Sequence, residues 1–423
     1  MKPCHGVLWD NDDEDGGGSG GGPSTFRLVE GATVTHLGKS FVWTHRHIKP
    51  AVLEALRHRG DPIADAAVSS ILAEVSAPSK PSWWPTARSS RKRHLVDAAI
   101  SAASRPENRA ARALLEQVSS LPEWADRTVC QRGGEFFMRF VPASWATLFH
   151  LSLVGGYAAG RVAKVLSLGS ALGADVQRNR DRVFRRLLDT SLMVLRCVGG
   201  GDKSLEPFVG PGWRDVVRVR LLHATVSARL RKGGYDTSAD GIPVNNQEDL
   251  LVTQLAFSAV VLDGLARLGV DIEGEYRDGA EAYLHLWRVV GHLIGIDESN
   301  NWACRSLDDA RIALQSIWIH LVHPNEESRR LTATSLRSLE RRPPRAWTAR
   351  QLAFATRYLQ GDALADALGV ARVDNDNDND GELVRVLIAH TRWSIRWLDA
   401  STLVGRVLVA IAVRIFDIAF RWM

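Results

Sequence analysis

Apolar residues recur along most of this chain at intervals of three and four, the spacing that lines one face of an α-helix. Between Asp61 and Val75, the residues Ile63, Ala67, Ile71 and Val75 fall on one such face. Spacing or core-helix composition also predicts helices over Val42–His58, Leu95–Ser104, Asn108–Ser119, Glu135–Val154 and Tyr157–Ser170. Further along they are expected over Val183–Val198, Trp213–Lys232, Gln247–Leu268, Ala280–Ile294 and Ser306–His323. The last opens on Ser306-x-x-Asp309, a capping-box-like start. Three prolines and two adjacent tryptophans in residues 77–85 predict a rigid connector, and Gly199-Gly200-Gly201 a break. Little alternates with period two over a useful length. The prediction is an all-α fold with one principal domain over residues 26–350.

The flanks read differently. Residues 1–25, acidic and then Gly/Ser-rich, are expected to be disordered, as is the acidic insert 373–381 in a C-terminal helical extension over 351–423. The apolar run Leu403–Phe420 is interrupted by Arg406, Arg414 and Asp417, which are costly in hydrocarbon. Residues 401–423 therefore read as a membrane-surface helix, or one packed on the domain, rather than a span. The first residues carry no apolar signal core, which predicts an intracellular chain, cytoplasmic or membrane-associated.

With 45% hydrophobic and 24% charged residues in 423, the chain has the balance of a globular protein with a large core. The net charge is +5, with basic runs over Arg88–Arg112 and Arg329–Arg350. No nucleic-acid-binding motif accompanies them, so they read as solvated helix faces. Cys4, Cys130, Cys197 and Cys304 are widely spaced, which argues against a disulfide framework or a zinc site.

Several motifs resemble chemistry that their context denies. Gly16–Gly22 lacks the Gly-Lys-Ser/Thr of a phosphate loop, and Gly155–Gly160 lacks a preceding strand. The run Asp376–Gly381 copies the first half of a calcium loop, but Leu387 stands where the bidentate Glu belongs. His285 and His292 share a helix face without a nearby carboxylate pair, which favours packing over a metal.

The candidate chemistry centres on His223, within Val219-Arg220-Leu221-Leu222-His223-Ala224-Thr225-Val226. A neutral imidazole whose direction is set by an apolar helix is a natural axial ligand for haem iron. A buried structural histidine is the competing reading. The preceding helix carries Arg186, Asp189 and Thr190, with Arg186 and Thr190 four apart on one face. The glycine-rich link Gly199–Trp213 lets the two helices pack side by side. Beyond them, Gly241–Leu250 is a polar turn opening a helix that leads to Thr253 and Phe257. An imidazole, an opposing arginine and a hydroxyl can together hold a porphyrin, with arginines pairing its propionates.

The segments Arg220–Val226, Pro243–Leu250, Tyr283–Gly291 and Gly295–Asp297 make the stretch Phe136–His323 resemble the catalytic domain of latex clearing proteins, shared with the ER-bound oxygenase of mycophenolic acid biosynthesis. The resemblance implies a globin-like helical core, haem b, and dioxygen-dependent cleavage of carbon–carbon double bonds in isoprenoid chains. It makes His223 the proximal iron ligand, Arg220 a cofactor-binding arginine one turn before it, and Arg186 and Thr190 the distal catalytic pair. Three positions depart from the pattern. Asp189 replaces the distal Lys that can ligate iron in a closed state, residues 157–175 contain no Glu, and Ser227 stands where an arginine follows the histidine. The expected partners are dioxygen, an apolar unsaturated substrate and a membrane surface through the C-terminal helix, with no nucleic acid. The alternatives are a non-catalytic lipid- or membrane-associated protein of the same fold, and a haem protein using Asp189 in peroxidase-like chemistry.

Overall fold

The computed structural model describes residues 7–9, 26–75, 95–169, 176–233, 241–342, 346–373 and 379–397. It is all-α, as the periodicity predicts, apart from two short antiparallel ribbons. The first pairs β1 (Val7–Trp9) with β2 (Phe26–Leu28), so part of the segment expected to be disordered is a strand. The second pairs β3 (Thr33–His36) with β4 (Lys39–Val42), with His36 opposite Lys39. The helix expected over Val42–His58 begins only at Pro50, because Val42 pairs with Thr33 in this ribbon, which turns at Leu37 and Gly38 with φ of 47° and 81°. The ribbon docks through its turn, with the Trp318 indole Nε1 donating to the His36 carbonyl at 3.0 Å.

The helices begin with α1 (Pro50–Arg57), whose start is set by Pro50 in its first turn, and α2 (Pro62–Val75). An N-terminal layer is completed by α3 (Leu95–Ala103) and α4 (Arg109–Val118), the latter capped by the Asn108 side chain. Then come α5 (Arg127–Arg139), capped by Asp126, and α6 (Val141–Ala146), which runs into a π-helical stretch over Thr147–Leu153. One helix was expected over Glu135–Val154. Pro142 in the first turn of α6 and the wide π turn divide it instead.

Helix α7 (Gly160–Gly169) precedes the long antiparallel pair α8 (Val176–Val198) and α9 (Pro211–Lys232). The helix expected over Gln247–Leu268 is two, α10 (Gln247–Phe257) and α11 (Ala259–Arg267). The break is at Ser258 (ψ −86°), whose hydroxyl donates back to the Gln254 carbonyl at 2.7 Å. Taken together, Gln247–Arg267 is long and apolar enough to cross a bilayer, but 56% of its apolar window is buried in the fold. Helix α12 (Arg277–Ile294) ends on the left-handed Gly295, and α13 (Leu307–Leu321) starts on Ser306, whose oxygen accepts from Asp309 N as expected. The chain continues through α14 (Glu326–Leu339), α15 (Ala349–Gln360), α16 (Asp362–Ala367) and α17 (Glu382–Trp397). Part of the acidic insert is ordered after all. Asp380 is buried and paired with Arg350 at 2.8 Å, a structural role rather than a calcium one. The proposed membrane-surface helix 401–423 lies outside the described residues.

The centre of the core is α12 lying against α5. Tyr283 is fully buried, stacks on Phe137 and donates to the Phe257 carbonyl at 2.7 Å, while Trp287 stacks on Phe257. This close approach requires glycine in α5. A Cβ on Gly133 would collide with the Ala282 carbonyl and come within 2.8 Å of Tyr283 Cα, and one on Gly134 would meet the Val198 carbonyl. Because the obstacle is backbone, Gly133→Ala is expected to cost about 3 kcal/mol. The expected readout is a lower urea midpoint at unchanged slope.

Behind α6, His150 in the π-helical stretch is buried, and its Nδ1 bonds Thr356 Oγ1 at 2.8 Å. That hydroxyl already donates to the Leu352 carbonyl, so His150 Nδ1 is the donor. Burial pushes its pKa down to about 3. A folded-state value below the ordinary 6.5 contributes stability that is present above pH 6.5 and lost as pH falls toward 3. Between pH 6.5 and 4 the wild type should lose about 3 kcal/mol more than His150→Gln in urea titrations.

Candidate functional site

Helices α8 and α9 converge where the chain turns between them. Gly212 allows the contact, since a Cβ there would stand 2.9 Å from the Arg196 carbonyl and from Cys197 Cα. Arg196 and Asp215 close the pair at 2.9 Å. Helix α8 carries Arg186, Asp189 and Thr190, helix α9 carries His223, and the two helices meet at the Arg196–Asp215 end of the pair.

Helix α9 has two unlike faces. Trp213, Val216, Val217, Arg220, Ala224 and Ser227 are buried against the N-terminal layer and α12. On the adjoining face Val219, His223, Val226 and Leu230 are only half-buried, and Leu222 is 38% exposed. This apolar stripe is incompletely covered and has an imidazole at its middle. Half-buried Leu187, Leu188 and Leu192 of α8 and Val162, Val165 and Leu166 of α7 repeat the pattern.

The His223 ring makes no hydrogen bond among the described residues, and its Nδ1 is a buried atom without a partner. Burial holds its pKa below the ordinary histidine value, opposed by the nearby Asp61 carboxylate. The ring is therefore neutral at neutral pH, the form that offers a lone pair to a metal. A buried structural histidine normally bonds its neighbours, as His150 does. His223 does not, and an orphaned neutral imidazole in an open apolar stripe fits a flat apolar group carrying a metal.

Arg220 differs from expectation. It is 1% exposed, and its Nε and Nη2 donate to the two oxygens of Asp61 at 2.7 and 3.0 Å, with Gln117 Oε1 accepting at 2.8 Å. Only Nη1 is left without a partner, so most of this guanidinium is committed to the protein rather than to a propionate. The Asp61 partner was missed. Asp61-Pro62 is legible as a helix start, but nothing local shows that its carboxylate also binds α9.

On α8, Arg186, Asp189 and Thr190 are exposed. The Thr190 hydroxyl donates to the Arg186 carbonyl at 3.0 Å, which leaves its oxygen free only as an acceptor in this arrangement. The Arg186 charge is felt by Tyr157, whose hydroxyl bonds Ser335 at 2.9 Å.

The polar segment before α10 joins elements. Asn246 caps α10, and Gln247 binds the Gly295 carbonyl at 3.0 Å and Asp297 N at 2.9 Å. Fully buried Glu248 accepts from Arg57 Nε at 2.7 Å and contacts His320 Nδ1 at 2.6 Å. Asp249 pairs with Arg161 of α7 at 2.9 Å, and burial pushes its pKa up to about 6. Four consecutive residues thus tie α10 to α1, α7, α12 and α13. His285 and His292 are not brought to one metal. His285 Nε2 accepts from Asp126 N at 3.0 Å, while His292 bonds the Gln117 backbone. Among the described residues no group of three His, Cys, Asp or Glu is arranged to hold a metal ion.

Residues 141–397 match the model of the family described as ER-bound oxygenase mpaB/B′/rubber oxygenase, catalytic domain. The rubber oxygenase of Streptomyces sp. (strain K30) is 23% identical over 272 residues, which cover 62% of this chain and 60% of that relative's length. A solved structure of latex clearing protein LCP in the closed state superposes with a TM-score of 0.60 at 18% identity, covering 87% of this chain and 91% of the other. It shares the fold.

Proposed function

Because this chain belongs to the family of ER-bound oxygenases mpaB/B′ and rubber oxygenases, we propose that it is a haem b-dependent oxygenase acting with dioxygen on an apolar, unsaturated, isoprenoid-like substrate. The observation that carries the reading is the His223 imidazole, neutral, without a hydrogen bond and set in an incompletely covered apolar stripe. His223 would hold the iron, and the stripes of α7, α8 and α9 would cover the porphyrin faces. Haem b bound there supplies iron that activates dioxygen.

The chain's own groups divide the remaining work. Half-buried Leu187 and Leu188 and exposed Leu222 favour an apolar substrate and exclude water by contact rather than by hydrogen bonds. Arg186 supplies a positive charge on the α8 side, and Thr190 an acceptor oxygen one turn away. Asp189 places a carboxylate where rubber-cleaving relatives were expected to have a lysine. This departure from the rubber-cleaving pattern favours a substrate other than rubber.

The test is direct. Full-length protein produced with haem supplementation should purify with a Soret band. It should consume dioxygen in proportion to an added unsaturated isoprenoid, with carbonyl products. A colourless preparation sinks the haem reading, whereas a coloured protein with no oxygen uptake sinks the oxygenase assignment.

A further inference from the structure

Asp61, which caps α2, and Gln117 on α4 both precede the family-matched segment, which begins at residue 141, yet both reach the helix that carries His223. Asp61 holds two elements at once. Its Oδ1 accepts from Ala64 N at 3.1 Å, starting α2, and the same carboxylate takes Arg220 Nε and Nη2 at 2.7 and 3.0 Å. The pair is dry, with Asp61 5% and Arg220 1% exposed. Gly295, at φ 98°, closes over it. A Cβ there would stand 2.6 Å from Asp61 Oδ2 and 2.7 Å from Arg220 Nε. The same layer seats both ends of α9, through Trp213 Nε1 to the Val118 carbonyl at 2.8 Å and Arg231 to Asp65 at 3.0 Å.

From this geometry we infer that Asp61 is a positioning residue for His223, acting through Arg220 one turn before it on α9. A ligand histidine is ordinarily aimed by a hydrogen bond from its second ring nitrogen. His223 has none among the described residues, so its direction depends on how α9 is rolled and seated. Arg220 sets that roll because a guanidinium cannot shed its charge in a dry interior and must stay on its carboxylate. The N-terminal layer is thereby part of the proximal site rather than an accessory to it. The inference rests on the proposed function only in calling His223 a ligand.

The experiment uses the full-length, haem-free chain with labelled histidine and arginine, at one near-neutral pH. The His223 ring signals are assigned by their loss in His223→Gln. Wild type and the charge-retaining Asp61→Glu should each give one sharp set and an Arg220 Nε–H protected from exchange. Asp61→Asn should broaden or double the His223 set and lose that protection. Haemin titrations of the same proteins should show affinity falling about tenfold in Asp61→Asn only. Unchanged His223 signals in folded Asp61→Asn overturn the inference. If Asp61→Asn does not fold, Gly295→Ala, which pushes a methyl into the same pair, carries the same expectation, and rapid Arg220 Nε–H exchange in wild type overturns it outright. A colourless wild type would instead sink the proposed function, while the ring signals still decide the role of Asp61.

Discussion

His223→Ala should fold like the wild type and purify without a Soret band, its haemin affinity lowered by at least about 100-fold. The two halves of this expectation have separate causes. The ring makes no hydrogen bond among the described residues and stands on a half-buried face, so its removal orphans no partner. Alanine is also the better helix former, and the stability change should stay within about 1 kcal/mol. The loss of binding follows from removing the nitrogen donor proposed for the iron. Added imidazole should restore part of the band, because the space left by the ring opens onto the uncovered stripe. Full haem retention by His223→Ala, or a collapse of its thermal transition, would reject this account.

Arg220→Met should be the most destabilising single change near the site, at about 3–5 kcal/mol. Methionine fills much of the volume, so the loss is electrostatic. Asp61 would be left charged in a dry interior and Gln117 Oε1 without its donor. The double variant Asp61→Leu/Arg220→Met removes both charges, and replacing a buried pair by apolar groups is often close to neutral. Urea titrations should therefore show the double variant losing much less than Arg220→Met alone, despite the α2 cap that goes with Asp61. Additive losses would mean that the pair is not coupled.

Much of the architecture is legible from short-range pattern. Asn108, Ser306 and Asn246 stand at helix starts where their side chains bond backbone N–H groups, and the 3.6-residue spacing marks the buried faces between them. The exceptions have local causes. The β3–β4 ribbon carries Leu37 in a positive-φ turn where Asn or Asp would have announced a hairpin. The break at Ser258 leaves the apolar pattern of α10 and α11 unbroken, since both segments are core. The family resemblance was also readable, through segments that turn out to serve packing: Tyr283–Gly291 is the central core helix, and Asn246–Asp249 is a four-way junction.

The helical class, the family, and the candidacy of His223 on α9 and of Arg186, Asp189 and Thr190 on α8 are all legible in the amino-acid sequence. Each of these rests on short segments, within which hydrogen bonding and side-chain spacing repeat along the chain. The tertiary structure alone shows that Arg220 is committed to Asp61, 159 residues away, and that the His223 ring beside it makes no hydrogen bond among the described residues. An ion pair across that separation has no periodic signature. It exists because burying α9 against the N-terminal layer strips water from a guanidinium, and the carboxylate that starts α2 is the group in reach to replace it.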